Sequence, residues 1–259
     1  RDVVPCAGGS LASARPAWLW LALLALWLHG TIAAAQPADP RLSFRTLDTP
    51  HFQITFHEPL EPLAQRLARA AEHAHRVLSQ TLGLTTSERT LLLLTDDTDS
   101  ANGRASVLPR NAIHLFAAAP DDLSAIGDYD EWITMLVTHE HTHILHLDQI
   151  GGISAVINAI LGKTLAPNAI APGFWIEGLA THEESVHSSG GRLRSTLFDM
   201  YLRMDVLEER VPTLAQLSND PVRWPHGELR YLYGRQFVRR LAEHHGEDAL
   251  AEFARQYGR

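Results

Sequence analysis

One short stretch of the chain has the residue types and the spacing of a metal-dependent hydrolase site. It is His139-Glu140-His141-Thr142-His143, which has the pattern H-E-x-x-H. Residues four apart share one face of a helix, so His139 and His143 can direct two imidazoles at one zinc ion. Glu140 lies beside the first histidine, where its carboxylate can take a proton from water without ligating the metal. His141 falls on the opposite face and is predicted to be structural.

Three other stretches are candidates for the third ligand that such a site needs. The first candidate is a ligand further along the same helix, as in the longer pattern H-E-x-x-H-x-x-G-x-x-H. That pattern would need glycine at 146 and a ligand at 149, where this chain has histidine and glutamine. The second candidate is Glu177, within the sequence WIEGLA at 175–180, where the carboxylate is followed by small and apolar residues. The third is H-E-x-x-x-H at 182–187, but histidines five apart do not share a helical face.

H-E-x-x-H followed by W-x-x-E-G-[LF]-A resembles the gluzincin metallopeptidases. The resemblance implies zinc as the cofactor, His139, His143 and Glu177 as its ligands, Glu140 as the general base, and a peptide or protein as the substrate. The gap between His143 and Glu177 is longer than in the aminopeptidases of that clan. Their G-x-M-E-N element, which binds a free amino terminus, is absent, and this absence favours an endopeptidase or an unusual specificity.

The resemblance also implies a fold and a setting. It covers roughly residues 50–259 and implies an α+β, zincin-like fold, similar to thermolysin or the aminopeptidases. We expect a small N-terminal mixed sheet lobe at about 50–128, a zinc helix at 129–148 and a mostly helical lobe at 173–259. Residues 137–148 are also similar to the peptidase domain that precedes β-propeller repeats in some exported bacterial proteins, which implies a downstream propeller in a longer chain.

Two functions other than peptide hydrolysis remain open at this point. One is a catalytically silent gluzincin-like interaction module of a bacterial envelope protein. The complete set of ligands argues against it, because a degenerate domain would have lost Glu140 or a histidine. The other is zinc-dependent hydrolysis of a bond that is not a peptide, for which H-E-x-x-H is a weaker indication.

Peptide hydrolysis also needs a donor for the oxyanion that forms when water attacks. Gluzincins commonly take a tyrosine from their C-terminal helices, and this chain has Tyr231 and Tyr233 in the stretch 228–234. The stretch 233–239 resembles a helix of related domains and favours Tyr233, with Tyr231 as the alternative.

A metal-bound imidazole usually donates its second N–H to a carboxylate or a carbonyl. Glu184 follows Glu177 by seven residues and shares its helical face, so it is the better candidate for this role. Asp148 is the second candidate, although five positions after His143 is an awkward spacing within one helix.

Composition and the N-terminus indicate an exported protein that does not bind nucleic acid. The chain has 259 residues, 45% of them hydrophobic, and a net charge of −8 without a basic cluster, which argues against nucleic acid and anionic membrane surfaces as partners. An apolar run at 17–28, followed by Ala33 and Ala35, predicts a signal peptide at 1–35, cleaved after Ala35. We therefore expect residues 36–259 to form one periplasmic or secreted domain with no stable membrane span. The only cysteine, Cys6, would leave with the signal, so no disulfide is expected.

Hydrophobic periodicity places the remaining elements. Strands are predicted at 51–57, 90–95 and 111–117, with turns at 96–110. By analogy with gluzincins, 111–117 is expected to be the edge strand that pairs with the substrate backbone. Helices are predicted at 59–82, 173–186, 193–209, 225–245 and 247–257. The apolar stretch 153–172 predicts a short helix and a loop over the cleft; a membrane-dipping segment is less favoured, because it contains Asn158, Lys163 and Asn168.

Overall fold

In the computed structural model, an N-terminal sheet precedes a mostly helical C-terminal part, so the predicted α+β class is confirmed. The signal peptide predicted at 1–35 lies outside the residues that the structure describes. These residues are 39, 41–122, 124, 126–218 and 227–256.

The sheet has five strands in the order β1-β2-β3-β5-β4. The three inner strands β2, β3 and β5 are parallel, and the two outer strands are antiparallel to their neighbours. Alternate residues of the inner strands are buried, and β2 packs on the helix Glu61–Leu82 (α1), whose alanines and leucines recur at helical spacing. The bounds of the strands are Phe44–Asp48 (β1), Phe52–His57 (β2), Thr90–Thr95 (β3), Gly103–Ser106 (β4) and Ala112–Phe116 (β5).

The order of the strands corrects the prediction of the edge strand. The stretch 111–117 does contain a strand, but β5 lies inside the sheet, between β3 and β4. The edge strand on this side of the sheet is β4, which lies in the region predicted to hold only turns. Its residues Gly-Arg-Ala-Ser are too few and too polar to show a strand pattern. They become a strand through backbone pairing with β5, in which Gly103 lies opposite Leu115 and Ser106 opposite Ala112.

Eight α-helices are described, and α2 and α4 were predicted closely. Glu131 caps the first turn of α2 by accepting a hydrogen bond from the Thr134 amide, so this helix begins at 132 and not at 129. Helix α4 has the predicted bounds. The helices are Glu61–Leu82 (α1), Trp132–Leu147 (α2), Gly152–Leu161 (α3), Gly173–Val186 (α4), Thr196–Leu207 (α5), Leu214–Ser218 (α6), Leu229–His245 (α7) and Glu247–Gln256 (α8).

The packing of the helices positions the site. Helix α2 is buried along almost its whole length, and it packs between α1 and α4, while α4 packs extensively on α7. No single helix among the described residues is long and apolar enough to cross a membrane. Helices α2 and α3 meet the criteria of length and composition only as a pair bent by 97°.

Candidate metal centre

Helices α2 and α4 bring His139, His143 and Glu177 together. The two Nε2 atoms of the histidines are 3.1 Å apart. Glu177 Oε2 lies 3.4 Å from His139 Nε2 and 3.2 Å from His143 Nε2. Within the described part of the chain, this is the one group of three or more such side chains whose ligand atoms lie close enough to hold a metal ion.

The spacing and the chemistry of these three atoms fit zinc. Ligand atoms at about 2.0–2.1 Å from a tetrahedral zinc ion are about 3.3 Å from one another, and the three observed distances are close to that value. Two imidazole nitrogens and one carboxylate oxygen are also a common ligand set of catalytic zinc, which leaves its fourth position to water. His139, His143 and Glu177 therefore form a candidate three-ligand centre.

Glu184, the better candidate for a partner of a metal-bound imidazole, contacts His139. Its Oε2 lies 2.8 Å from His139 Nδ1, at a buried position. Burial would raise the pKa of Glu184, but the Arg192 guanidinium outweighs this effect and lowers it to about 2. An ionised Glu184 accepts the Nδ1–H and so directs His139 Nε2 towards Glu177 and His143, where a metal cation can replace a proton.

Arg192 was not singled out from the sequence, although it is buried at the centre of this network. Its Nε donates to Glu184 Oε1 at 2.9 Å and its Nη2 donates to Glu184 Oε2 at 2.7 Å. Nη2 also lies 2.8 Å from His139 Nδ1. The residue follows two glycines in a 3₁₀ turn eight positions after Glu184, and nothing in that local pattern indicates the contact.

The electrostatics of the cluster favour a bound positive charge. Burial and the Arg192 charge lower the pKa of His139, but hydrogen bonds and charges from Glu177 and Glu184 outweigh them and raise it to about 9. Burial alone would raise the pKa of Glu177, yet the neighbouring His143 and His139 hold it well below its usual range. Two carboxylates that stay ionised beside two imidazoles attract either protons or a metal cation.

The Glu140 carboxylate lies close to the edge strand β4 and within electrostatic reach of His139, His143 and Glu177. A Cβ atom added to Gly103 of β4 would lie 2.7 Å from Leu115 Cδ2 and 2.9 Å from Glu140 Oε1, so any larger residue there would displace these side chains. Burial raises the pKa of Glu140, while His139 and His143 offset part of that rise. A buried carboxylate with a raised pKa is suited to accept and return a proton near neutral pH.

Tyr231, and not Tyr233, lies beside the histidines. The Tyr231 ring centroid is 6.1 Å from that of His139, and the Arg192 guanidinium stacks over the Tyr231 ring at 4.6 Å. The Tyr233 hydroxyl instead donates to Asp205 Oδ2 at 2.5 Å. Neighbours two apart on a helix point in nearly opposite directions, so the structure places the alternative Tyr231, and not the preferred Tyr233, next to His139. Burial, followed by the charge of Glu177, raises the pKa of Tyr231 and keeps the phenol protonated.

Asp148 does not contact either histidine ligand, which corrects its proposed role. It is buried at the end of α2 and accepts hydrogen bonds from the Ser87 amide at 2.7 Å and from Asn111 Nδ2 at 2.8 Å. Its Oδ1 lies 2.5 Å from Lys163 Nζ. The side chain at this position points away from the metal face, and it ties α2 to the loops around the sheet.

The other histidines of α2 are structural. His141 Nε2 lies 3.0 Å from His75 Nδ1 of α1, on the face opposite the metal ligands, as predicted. His146 Nε2 accepts a hydrogen bond from Trp175 Nε1 at 3.3 Å. Burial lowers the pKa of His141 to about 3 and that of His146 to about 4, so both are neutral near pH 7.

Comparisons with known proteins give distant similarities. No family model matches the chain. An uncharacterized protein of Treponema pallidum (strain Nichols) is 25% identical over 207 residues, which cover 79% of this chain and 18% of that protein. Among solved structures, the aminopeptidase N family protein from Idiomarina loihiensis is similar with a TM-score of 0.45 and 12% identity, over 84% of this chain and 41% of that one. The chain thus spans about a fifth of the length of the first protein and less than half of the second.

Proposed function

We propose that the protein is a zinc-dependent peptidase of the gluzincin type. The observation that carries this proposal is the convergence of His139, His143 and Glu177 at the spacing of a tetrahedral zinc site, with the buried carboxylate of Glu140 beside them. The ligand set, the general base and an oxyanion donor thus come from three helices, of which α4 packs on both α2 and α7.

The metal and the side chains divide the chemistry between them. Zinc held by these ligands would supply a Lewis acid, which would polarise the scissile carbonyl and lower the pKa of water to about 7. Glu140 takes the proton from the attacking water and then delivers it to the leaving amine. The raised pKa of Glu140 suits both steps, because one group has to act first as base and then as acid.

Tyr231 completes the site as the donor to the oxyanion. Its phenol stays protonated and lies beside His139, where it can donate a hydrogen bond to the developing negative charge. Arg192 holds both the Tyr231 ring and the Glu184 carboxylate, so a single buried side chain positions the donor and orients a metal ligand.

The substrate is proposed to be an extended peptide or protein segment. Strand β4 has one edge paired with β5, and its Gly103 lies close to the Glu140 carboxylate. A substrate strand added to the other edge would pass its backbone close to Glu140. This arrangement and the absence of G-x-M-E-N support an endopeptidase or an unusual specificity.

The cellular setting is proposed from the sequence. The apolar run at 17–28 and the small residues that follow it support export to the periplasm or beyond. A downstream propeller in a longer parent chain is a proposal of the same kind. The net charge of −8 supports a partner other than nucleic acid.

Cleavage of a peptide library by zinc-loaded protein tests the proposal. New peptide termini, detected by mass spectrometry, are expected for the wild type and not for Glu140→Gln, whose zinc content should be unchanged. Equal cleavage by both proteins would remove Glu140 from the mechanism. A zinc-loaded wild type that cuts no member of the library would favour the silent interaction module.

A further inference from the structure

Helix α3 exposes an apolar surface to solvent. The helix has no charged residue and no buried one. Its large aliphatic side chains face solvent, with Ile153 80%, Val156 61%, Ile160 77% and Leu161 69% exposed. Ile170, in the 3₁₀ turn that follows, is 89% exposed. These five side chains are called the α3 patch below. A soluble surface rarely leaves so many large aliphatic groups together in water.

The three polar residues that argued against a membrane-dipping segment are all bonded within the protein. Asn158 Oδ1 accepts from the Leu165 amide at 2.9 Å, and Asn158 Nδ2 donates to the Leu165 carbonyl at 2.8 Å. Lys163 lies 2.5 Å from Asp148 Oδ1 and donates to Asn111 Oδ1 at 2.6 Å.

Asn168, the third of these residues, is fully buried and donates to the His146 carbonyl at 2.7 Å. The polar side chains of all three residues therefore already have partners within the protein when the outer surface of the helix is covered. These internal bonds lower the cost of placing the segment in an apolar medium.

The size and the shape of the α3 patch fit a lipid surface better than a second protein copy. Five aliphatic side chains offer roughly 300–600 Å² of apolar area, which is below the roughly 800 Å² per partner of a stable interface. A helix of ten residues is about 15 Å long and cannot span a bilayer, but it can lie within the interface. A bilayer also needs no matching groove to accept a protruding helix.

We propose that the α3 patch is a shallow anchor that inserts into the interface of a phospholipid bilayer. The patch presents no free cation, and the chain has a net charge of −8, so zwitterionic lipid suffices and anionic headgroups add no attraction. The anchor is independent of the proposed peptidase activity, because none of its residues belongs to the metal centre.

A probe attached at one position tests the anchor without interference from the apolar N-terminal run. Leu161 on α3 and Leu207 on α5 are both 69% exposed and give a matched pair. In a Cys6→Ser background, Leu161→Cys or Leu207→Cys is labelled with an environment-sensitive fluorophore and mixed with phosphatidylcholine vesicles. The label at 161 is expected to gain fluorescence several-fold and to become protected from iodide quenching, while the label at 207 stays in water.

Two charges added to the patch make the test sharper. Combining Ile153→Asp and Ile160→Asp with Leu161→Cys is expected to raise the lipid concentration at half-maximal signal at least tenfold, with thermal unfolding unchanged. The proposal is overturned if the label at 161 stays exposed to water, if both labels respond equally, or if the added aspartates have no effect. A signal that appears on concentrating the protein without vesicles would overturn it in favour of self-association.

Discussion

Gly178 of α4 and Gly234 of α7 meet backbone to backbone where the two helices cross. A Cβ atom at 178 would lie 2.5 Å from the carbonyl carbon and oxygen of Gly234, closer than side chains approach in proteins. This contact gives a physical reason for the glycine that follows Glu177 in the second motif. It also lets α7 approach closely enough for Tyr231, one turn before Gly234, to lie beside His139.

Replacing Gly178 by alanine should therefore destabilise the protein. We expect Gly178→Ala to lower the free energy of unfolding by about 1–3 kcal/mol, because the added methyl group forces the helices apart. Gly173→Ala is the control, since its Cβ would meet Arg230 at an ordinary 3.8 Å. Urea unfolding measures both variants. Equal midpoints would contradict the close crossing of the helices.

Replacing each tyrosine of α7 by phenylalanine should distinguish their roles. Tyr231→Phe is expected to lower kcat about 100-fold with the zinc content unchanged, because an oxyanion donor is lost. Tyr233→Phe should leave kcat within about threefold and lower the stability by about 1 kcal/mol, through loss of its bond to Asp205. Steady-state kinetics and denaturant unfolding measure the two effects. The reverse pattern would restore Tyr233 as the donor.

Glu184 and its neighbour Glu183 give a matched test of how His139 is held. Glu184→Gln should weaken zinc binding about 10–100-fold, because the amide no longer holds His139 as the carboxylate does. Glu183 is equally buried, but its Oε2 lies 3.2 Å from His187 and not near the metal ligands. Competition with a zinc chelator should give wild-type affinity for Glu183→Gln. Similar losses in both variants would point to general damage to α4.

The hydrogen bonds of Asp148 predict that the stability of the protein falls in acid. Burial would raise its pKa, but hydrogen bonds from Lys163, Ser87 and Asn111 outweigh it and lower the pKa below its ordinary value of about 3.9. The stabilisation is therefore full above about pH 5 and is lost as the pH falls through the lower folded pKa. We expect Asp148→Asn to cost about 2 kcal/mol at pH 7.

The difference between wild type and Asp148→Asn should shrink below pH 4, since only the wild type can lose this stabilisation by protonation. Urea unfolding at a series of pH values measures it. A difference that grows on acidification would show that the Asp148 carboxylate is not stabilised in its ionised form.

The parts of the site that the sequence predicts are those whose geometry is set within one helix. His139 and His143 are four apart, and Glu184 is two turns after Glu177, so helical phase alone places each pair on one face. The inner strands of the sheet are predictable for a similar reason, because their apolar residues form dense runs.

The parts that were missed depend on contacts between distant segments. Arg192 reaches Glu184 and His139 from a 3₁₀ turn, and strand β4 exists only through its pairing with β5. Tyr231 and Tyr233 have similar local sequences, and only the crossing of α4 and α7 decides which one faces the metal ligands. Asp148 was misplaced because its partners, Ser87 and Lys163, are far from it in sequence or lie in another loop.

Zinc content, measured by elemental analysis of wild type beside Glu177→Ala, tests the central claim most directly. The account predicts about one zinc ion per wild-type chain and a sharp loss in the variant, because two histidines alone leave the site without its third ligand. Absence of metal from the wild type after reconstitution with zinc, or equal content in the two proteins, would contradict the three-ligand centre.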